Sequence, residues 1–235
     1  MNLINGDCLE KMKDISDNSI DLLFCDLPYG QTSCKWDCLI DLELFWKEIN
    51  RICKINCPMF FCCSTKFGVS LINSNPKNFR YDLVWVKSAS CGFLNAKKMP
   101  MKKHEMVYVF YRKLPLYDVS SHQHKFIKEG KSSKGDVGNE CYGKFSYYNN
   151  GEKGYDPPLP HSLLEIKSEK GKHATQKPVE LIKHLLKYYS KEGDTILDPT
   201  MGSGSTAVAC KKMNRNFIGI EKDEEIFKIA LQRID

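Results

Sequence analysis

Asp26-Leu27-Pro28-Tyr29-Gly30 follows directly on the hydrophobic run Ile20-Asp21-Leu22-Leu23-Phe24-Cys25. Such a run reads as a buried parallel strand, and doubly wound sheets carry out their chemistry just beyond the carboxyl ends of their strands. The motif offers the carboxylate of Asp26, the backbone carbonyl of Leu27 and the aromatic face of Tyr29. Pro28 fixes φ and keeps the turn rigid. These are the parts needed to hold the amino group of a nucleobase and to stack on its ring. Taken alone, the same residues also suit a helix cap and a packed aromatic.

A second group lies far downstream, in Thr195-Ile196-Leu197-Asp198-Pro199-Thr200-Met201-Gly202-Ser203-Gly204-Ser205-Thr206. It reads as a short strand, a glycine turn and a helix from about Ser205 to Met213. Gly202 and Gly204 let the backbone turn tightly and approach a ligand closely. The Gly-Lys-Ser/Thr ending of a phosphate-binding loop is missing, so a nucleoside triphosphate is not indicated. The third glycine of a dinucleotide fingerprint is missing too, which argues against nicotinamide and flavin cofactors.

The elements that would position these groups alternate. Strands are expected near Leu3–Asn5, Ile20–Cys25, Pro58–Ser64, Tyr81–Lys87, Met106–Arg112, Thr195–Leu197 and Phe217–Glu221. Leu42, Phe45, Ile49 and Ile52 are spaced for one helical face, as are Val179, Ile182, Leu185, Leu186 and Tyr189, with Pro178 expected as first helical residue. A last helix puts Phe227, Ala230, Leu231 and Ile234 on one stripe behind an acidic first turn. Strands alternating with helices predict an α/β fold with a doubly wound, largely parallel sheet. The stretch 114–172 is rich in Lys, Gly, Ser, Asn and Tyr, lacks apolar periodicity and reads as a functional insertion.

The 235 residues suffice for one sizeable core with a small insertion, and 42% hydrophobic residues suit a globular chain. No apolar stretch approaches the length of a membrane span and none reads as a signal peptide, so a cytoplasmic protein is expected. The eleven cysteines include no Cys-x-x-Cys pair, and they read as reduced thiols. Cys34/Cys38 and Cys53/Cys57 have the spacing of one helical face, and no metal site is expected. His122 and His124 read as exposed loop residues. The net charge is +6, and the segment from Lys87 to Lys113 alone holds seven Lys or Arg residues against one acid, Glu105. A run of this kind suits contact with phosphates.

Taken together, the segments resemble the DNA amino-methyltransferases, in the group whose catalytic motif precedes the cofactor glycines. The resemblance runs from Asn5-Gly6-Asp7-Cys8-Leu9 through Asp26 to Gly30, Trp36-Asp37, Trp85-Val86-Lys87 and His104-Glu105-Met106. It continues through His173-Ala174-Thr175-Gln176-Lys177-Pro178, Asp198 to Thr206, and Phe217-Ile218-Gly219-Ile220-Glu221. Leu27 stands where the family usually has proline, and Met201 where it often has phenylalanine.

The resemblance implies S-adenosylmethionine as cofactor and double-stranded DNA as substrate, with the target base turned out of the duplex. The Asp26 carboxylate and the Leu27 carbonyl would hold the exocyclic amine, and Tyr29 would stack on the base. Asp7 and Cys8 would meet the cofactor's adenine, and Glu221 its ribose. Asp198, Thr200, Gly202, Gly204, Ser205 and Thr206 would surround its methionine portion, joined by Asp26, with His173, Thr175 and Lys177 near its carboxylate. DNA contacts would come from Trp36, in a loop that closes over the substrate, and from Lys87, Lys97, Lys98, Lys102 and Lys103.

The implied organisation is a catalytic half over 1–113, a target-recognition insertion over 114–172 and a cofactor half over 173–235. Asp at the head of the catalytic motif favours adenine N6 over cytosine N4. Methylation of cytosine carbon 5 would need a nucleophilic Cys where Tyr29 stands. An inactive DNA-binding module and an RNA or protein substrate are the competing readings. The resemblance also admits a cognate restriction nuclease and a homodimer as partners.

Overall fold

The centre of the fold is a pair of strands apolar on both faces. In the computed structural model, Leu22–Cys25 (β2) and Met59–Cys63 (β3) are buried at every position. Side chains alternate along a strand, so β2 feeds two cores. Leu23 and Cys25 join Phe45, Trp46, Ile49 and Phe67 on one face, while Leu22 and Phe24 join Leu181, Ile182, Leu185 and Ala207 on the other. A strand buried on both faces requires helices on both sides of its sheet.

The structure describes residues 1–30, 38–122, 128–129, 133–139, 143–149, 152–153, 159–169 and 176–234. The elements of the larger unit begin with β1 (Asn2–Asn5), α1 (Cys8–Lys11), β2, α2 (Leu42–Ile52), β3, α3 (Thr65–Ser74), β4 (Phe79–Cys91) and β5 (Lys102–Phe110). After β6 (Lys128–Glu129), β7 (Ser133–Asn139), β8 (Gly143–Asn149) and β9 (Glu152–Lys153), which belong to a second unit, follow β10 (Leu163–Glu165), α4 (Val179–Tyr189), β11 (Thr195–Asp198), α5 (Ser205–Lys212), β12 (Asn216–Glu221) and α6 (Glu224–Ile234). Eight strands form one sheet in the order β1-β12-β11-β2-β3-β5-β4-β10. All neighbours are parallel except β5, which runs antiparallel to both β3 and β4. The expected α/β architecture is therefore the observed one, and each of the seven expected strands is present.

Three details differ from expectation. Pro178 caps α4 instead of opening it, with φ −63° and ψ 136°. Leu231, assigned to the buried stripe of α6, is 41% exposed, and Ala230 makes the tight contact. Cys53 and Cys57 are buried but share no helix, because α2 ends at Ile52. Cys34 lies outside the described residues.

Residues Met1–Tyr117 and Ser162–Asp235 make up the larger compact unit, and Asp118–His161 the smaller. Within the smaller unit, β7 (Ser133–Asn139) pairs antiparallel with β8 (Gly143–Asn149), and β6 (Lys128–Glu129) with β9 (Glu152–Lys153). His122, expected to be exposed, is buried; His124 lies outside the described residues. No helix among the described residues is long and apolar enough to cross a membrane.

Candidate active site

The four strands β1, β12, β11 and β2 lie side by side and parallel, so their carboxyl ends open on one edge of the sheet. A cavity of about 470 Å³ sits at that edge. Gly6, Asp7 and Cys8 reach it from the end of β1, Asp26 and Pro28 from β2, Asp198 and Thr200 from β11, and Glu221 from β12. Gly202, Ser205 and Thr206 line it from the turn into α5, and Lys177 from the turn into α4. Residues separated by most of the chain are thus brought together where strand-end chemistry is expected.

The acids around the cavity are held by short local bonds. Asp7 caps α1 by accepting from the Leu9 N–H at 2.9 Å, and it pairs with Lys222 at 3.1 Å. Glu221 accepts from the Gly202 N–H at 3.0 Å and from the Asp223 N–H at 2.8 Å, fixing its carboxylate between β12 and the glycine turn. Burial pushes its carboxyl above the ordinary value against these bonds. Asp198 is buried and accepts from the Thr206 hydroxyl at 2.5 Å and the Thr200 N–H at 3.2 Å. Burial pushes it up to about 7. Burial likewise pushes the Cys8 thiol up to about 12, so it meets the cavity as a neutral group.

The glycine turn works through its backbone. Gly202 has φ +53° and Gly204 φ +81°, a region that strains other residues. A Cβ on Gly204 would stand 3.1 Å from that of Ala230 in α6, so this glycine faces the packing between α5 and α6 instead of the cavity.

The Asp26 carboxylate is held by a cation and a hydroxyl. Its Oδ2 accepts from Lys177 Nζ at 2.5 Å, and the Tyr29 hydroxyl lies 2.7 Å from its Oδ1. That hydroxyl is also 2.9 Å from the Cys62 carbonyl on β3, and the Tyr29 ring leans on Phe67 of α3 at 5.3 Å. The Thr200 hydroxyl donates to the Asp26 carbonyl at 3.1 Å, tying β11 to the turn after β2. The Leu27 side chain is buried, which leaves its backbone as the part able to act on a ligand. Burial raises the Asp26 carboxyl, while Lys177 pulls it down.

Lys177 also approaches Glu105 on β5, at 3.0 Å, and Lys87 on β4 closes on the other Glu105 oxygen at 2.8 Å. Glu105 shares a strand face with the core residues Val107 and Val109, where an acid is costly without partners. Sequence reading placed Glu105 in a matched segment without giving it a role. The available signal was a lone acid two residues before an apolar alternation. Lys87, expected with Lys97, Lys98, Lys102 and Lys103 to contact DNA, is held in this pair and against the Trp85 ring at 5.0 Å.

Lys97, Lys98, Lys102 and Lys103 are exposed around the connection between β4 and β5. Phe93 and Leu94, at the same tip, are 81% and 96% exposed. Trp36, His173 and Thr175 lie outside the described residues.

The family model for DNA methylases of the N6/N4 type matches residues 20–232, which span Asp26, Asp198, Glu221 and the glycine turn. The chain belongs to this DNA methylase family. Among its relatives, the type II methyltransferase M.HinfI of Haemophilus influenzae is 27% identical over 99% of the chain and 67% of its own length. The DNA adenine methyltransferase YhdJ of Escherichia coli strain K12 is 27% identical over 99% of the chain and 82% of its own length. Of solved structures, the M1.HpyAVI–SAM complex superposes with a TM-score of 0.66 at 25% identity, covering 99% of this chain and 98% of that one. The cytosine-N4-specific PvuII DNA methyltransferase shares the fold, with a TM-score of 0.72 at 14% identity over 99% of this chain and 86% of its own.

Proposed function

We propose that this DNA methylase transfers a methyl group from S-adenosylmethionine to the N6 amine of an adenine turned out of duplex DNA. The observation that carries the reading is Asp26, a carboxylate lining the cavity in Asp-Leu-Pro-Tyr. The amine's lone pair is delocalised into the base. Two acceptors, the Asp26 carboxylate and the Leu27 carbonyl, would draw its hydrogens out of the ring plane and expose that pair. Tyr29 would stack on the base with Phe67 behind it, and Pro28 keeps the turn rigid. Holding the amine in line supplies the acceleration.

The cavity suits the cofactor. About 470 Å³ is within the usual range for a bound small molecule, and its acceptors match a ligand rich in donors. Asp7 and Cys8 would meet the adenine and Glu221 the ribose hydroxyls. Asp198, Thr200, Gly202, Ser205 and Thr206 would surround the methionine portion, with Ile226 and Ile40 as apolar walls. When bound, S-adenosylmethionine supplies a methyl group activated on a sulfonium. Gly204 shapes the turn. His173 and Thr175 are assigned to the same end of the cofactor by resemblance alone.

DNA would be met by Lys97, Lys98, Lys102 and Lys103, whose phosphate contacts add affinity without sequence preference. Phe93 and Leu94 beside them are of the type that wedges between base steps. Base readout is assigned to the inserted region 114–172, and Trp36 to a loop over the substrate. The test is incubation with labelled S-adenosylmethionine and genomic DNA, followed by mass spectrometry of the nucleosides. N6-methyladenine is expected. N4-methylcytosine would move the reading to the other branch of the family, and DNA binding without methylation would make the chain a binding module.

A further inference from the structure

We propose that Lys177 and Glu105 are positioning residues for Asp26, with the Lys177 ammonium keeping the Asp26 carboxylate charged and Glu105 holding that ammonium in place so that the carboxylate is correctly turned. The inference rests on the methyltransferase reading only for the purpose that it gives Asp26.

Lys177, with its side chain 10% exposed, is too dry to keep a charge without partners. It has two, Asp26 at 2.5 Å and Glu105 at 3.0 Å, and Glu105 in turn takes Lys87 at 2.8 Å. Two cations and two anions therefore alternate from β4 through β5 and the turn before α4 to the end of β2, and their charges cancel. The Glu105 oxygen facing Lys177 has no well-directed hydrogen bond, so that pair is held chiefly by charge. At the other end, the single Tyr29 proton lies between Asp26 Oδ1 and the Cys62 carbonyl, and the charged oxygen is the stronger acceptor. Asp26 is thus gripped on one oxygen by a cation and on the other by a hydroxyl. Each oxygen retains a lone pair for the incoming amine.

The charges facing Asp26 come from every side. Lys177 precedes α4, Glu105 is on β5, Asp198 is on β11, and Tyr29 is in its own turn. The Cys25 thiol of β2 and the Cys62 and Cys63 thiols of β3 are kept neutral by burial. Lys177 pulls the Asp26 carboxyl down, whereas burial and Glu105 push it up. Glu105 itself is buried, yet its two lysines hold it below the ordinary value. The network therefore predicts opposite effects from its two members. Lys177→Met should move the Asp26 titration to higher pH and Glu105→Gln to lower pH, each by about 1 unit or more. Glu105→Asp should stay near wild type.

The experiment is an NMR titration of protein labelled with carboxyl-13C aspartate, with the Asp26 signal assigned through Asp26→Asn. It is paired with kcat and cofactor KM across pH, and with thermal melts to establish folding. Beyond the opposite shifts, Glu105→Gln is expected to lower kcat by roughly 10- to 100-fold, the usual cost of a misplaced reacting group, with KM unchanged. Shifts in the same direction, or none, in folded variants overturn the network. Should Lys177→Met fail to fold, Glu105→Gln decides alone, and an upward or absent shift overturns it. A wild type that titrates as described but methylates no DNA removes the proposed activity and leaves the network standing.

Discussion

Lys177 and the lysines of the β4–β5 connection are the same residue type in opposite settings. Lys177 is enclosed by two carboxylates at one edge of the sheet, whereas Lys97, Lys98, Lys102 and Lys103 extend into solvent. A buried charge is little screened and interacts strongly, so it fixes the geometry and protonation of whatever it touches. An exposed charge is screened within about 10 Å at 0.1 M salt, and what it offers is attraction for a polyanion. Composition counts all five alike; burial divides them into one enclosed by carboxylates and four open to a polyanion.

The sharpest test of the enclosed half is Asp26→Ala. It should lower methyl transfer by roughly 10²- to 10⁴-fold, the scale for a group acting on a proton-bearing reacting centre, with the circular dichroism spectrum unchanged. Asp26→Asn should fail as well, since its amide presents a donor where an acceptor is needed. Near-normal turnover by either variant would take Asp26 out of the mechanism.

Glu221→Ala should weaken S-adenosylmethionine binding by about tenfold or more, in keeping with a charge-assisted hydrogen bond, and leave DNA affinity alone. Isothermal calorimetry with unchanged cofactor affinity would remove Glu221 from the site. Gly204→Val acts elsewhere. Its φ of +81° and the nearby Ala230 predict lost stability first, visible as a lower melting temperature before any ligand is added.

For the exposed half, Lys102→Ala/Lys103→Ala should reduce the slope of log affinity against log salt by roughly 2, about 0.9 per phosphate contact, with sequence preference retained. An unchanged slope in a salt titration would make these lysines a merely solvated face.

A separate test away from both halves concerns Asp198, pushed up to about 7 by burial. The folded protein keeps a proton that the unfolded chain gives up near pH 4. This residue's stabilising contribution is therefore complete below about pH 4 and is lost as pH rises to about 7. Urea melts should show wild type losing stability relative to Asp198→Asn across that window. Parallel pH profiles would mean that Asp198 ionises alike in both states.

Much of the fold was legible because the strands are short apolar runs and α2 and α4 carry clear apolar stripes. α3 was not. Thr65-Lys66-Phe67-Gly68-Val69 is poor helix-forming sequence, and α3 is held by a Ser64 cap and by Gly68 packing against Tyr108. β10 was hidden for a similar reason, being three residues whose pairing with β4 makes them a strand. The strand-end acids could be read from their position after apolar runs. The grip on Asp26 could not, because Lys177 is 151 residues away in the chain and only the folded sheet makes them neighbours.

The strand order also has a consequence for how the domain comes into being. β1 lies at the edge of the sheet beside β12, and β2 takes β11 on that side, so two strands made early wait for two made late. At 5–20 residues per second, β1 would emerge roughly ten to forty seconds before its partner. In that interval β2, β3, β4 and β5 can already pair, while the apolar flank of β2 stays open to unwanted pairing. A nascent chain halted in the turn before β11 would hold both members of the Lys177–Asp26 ion pair and still have nowhere to seat a cofactor.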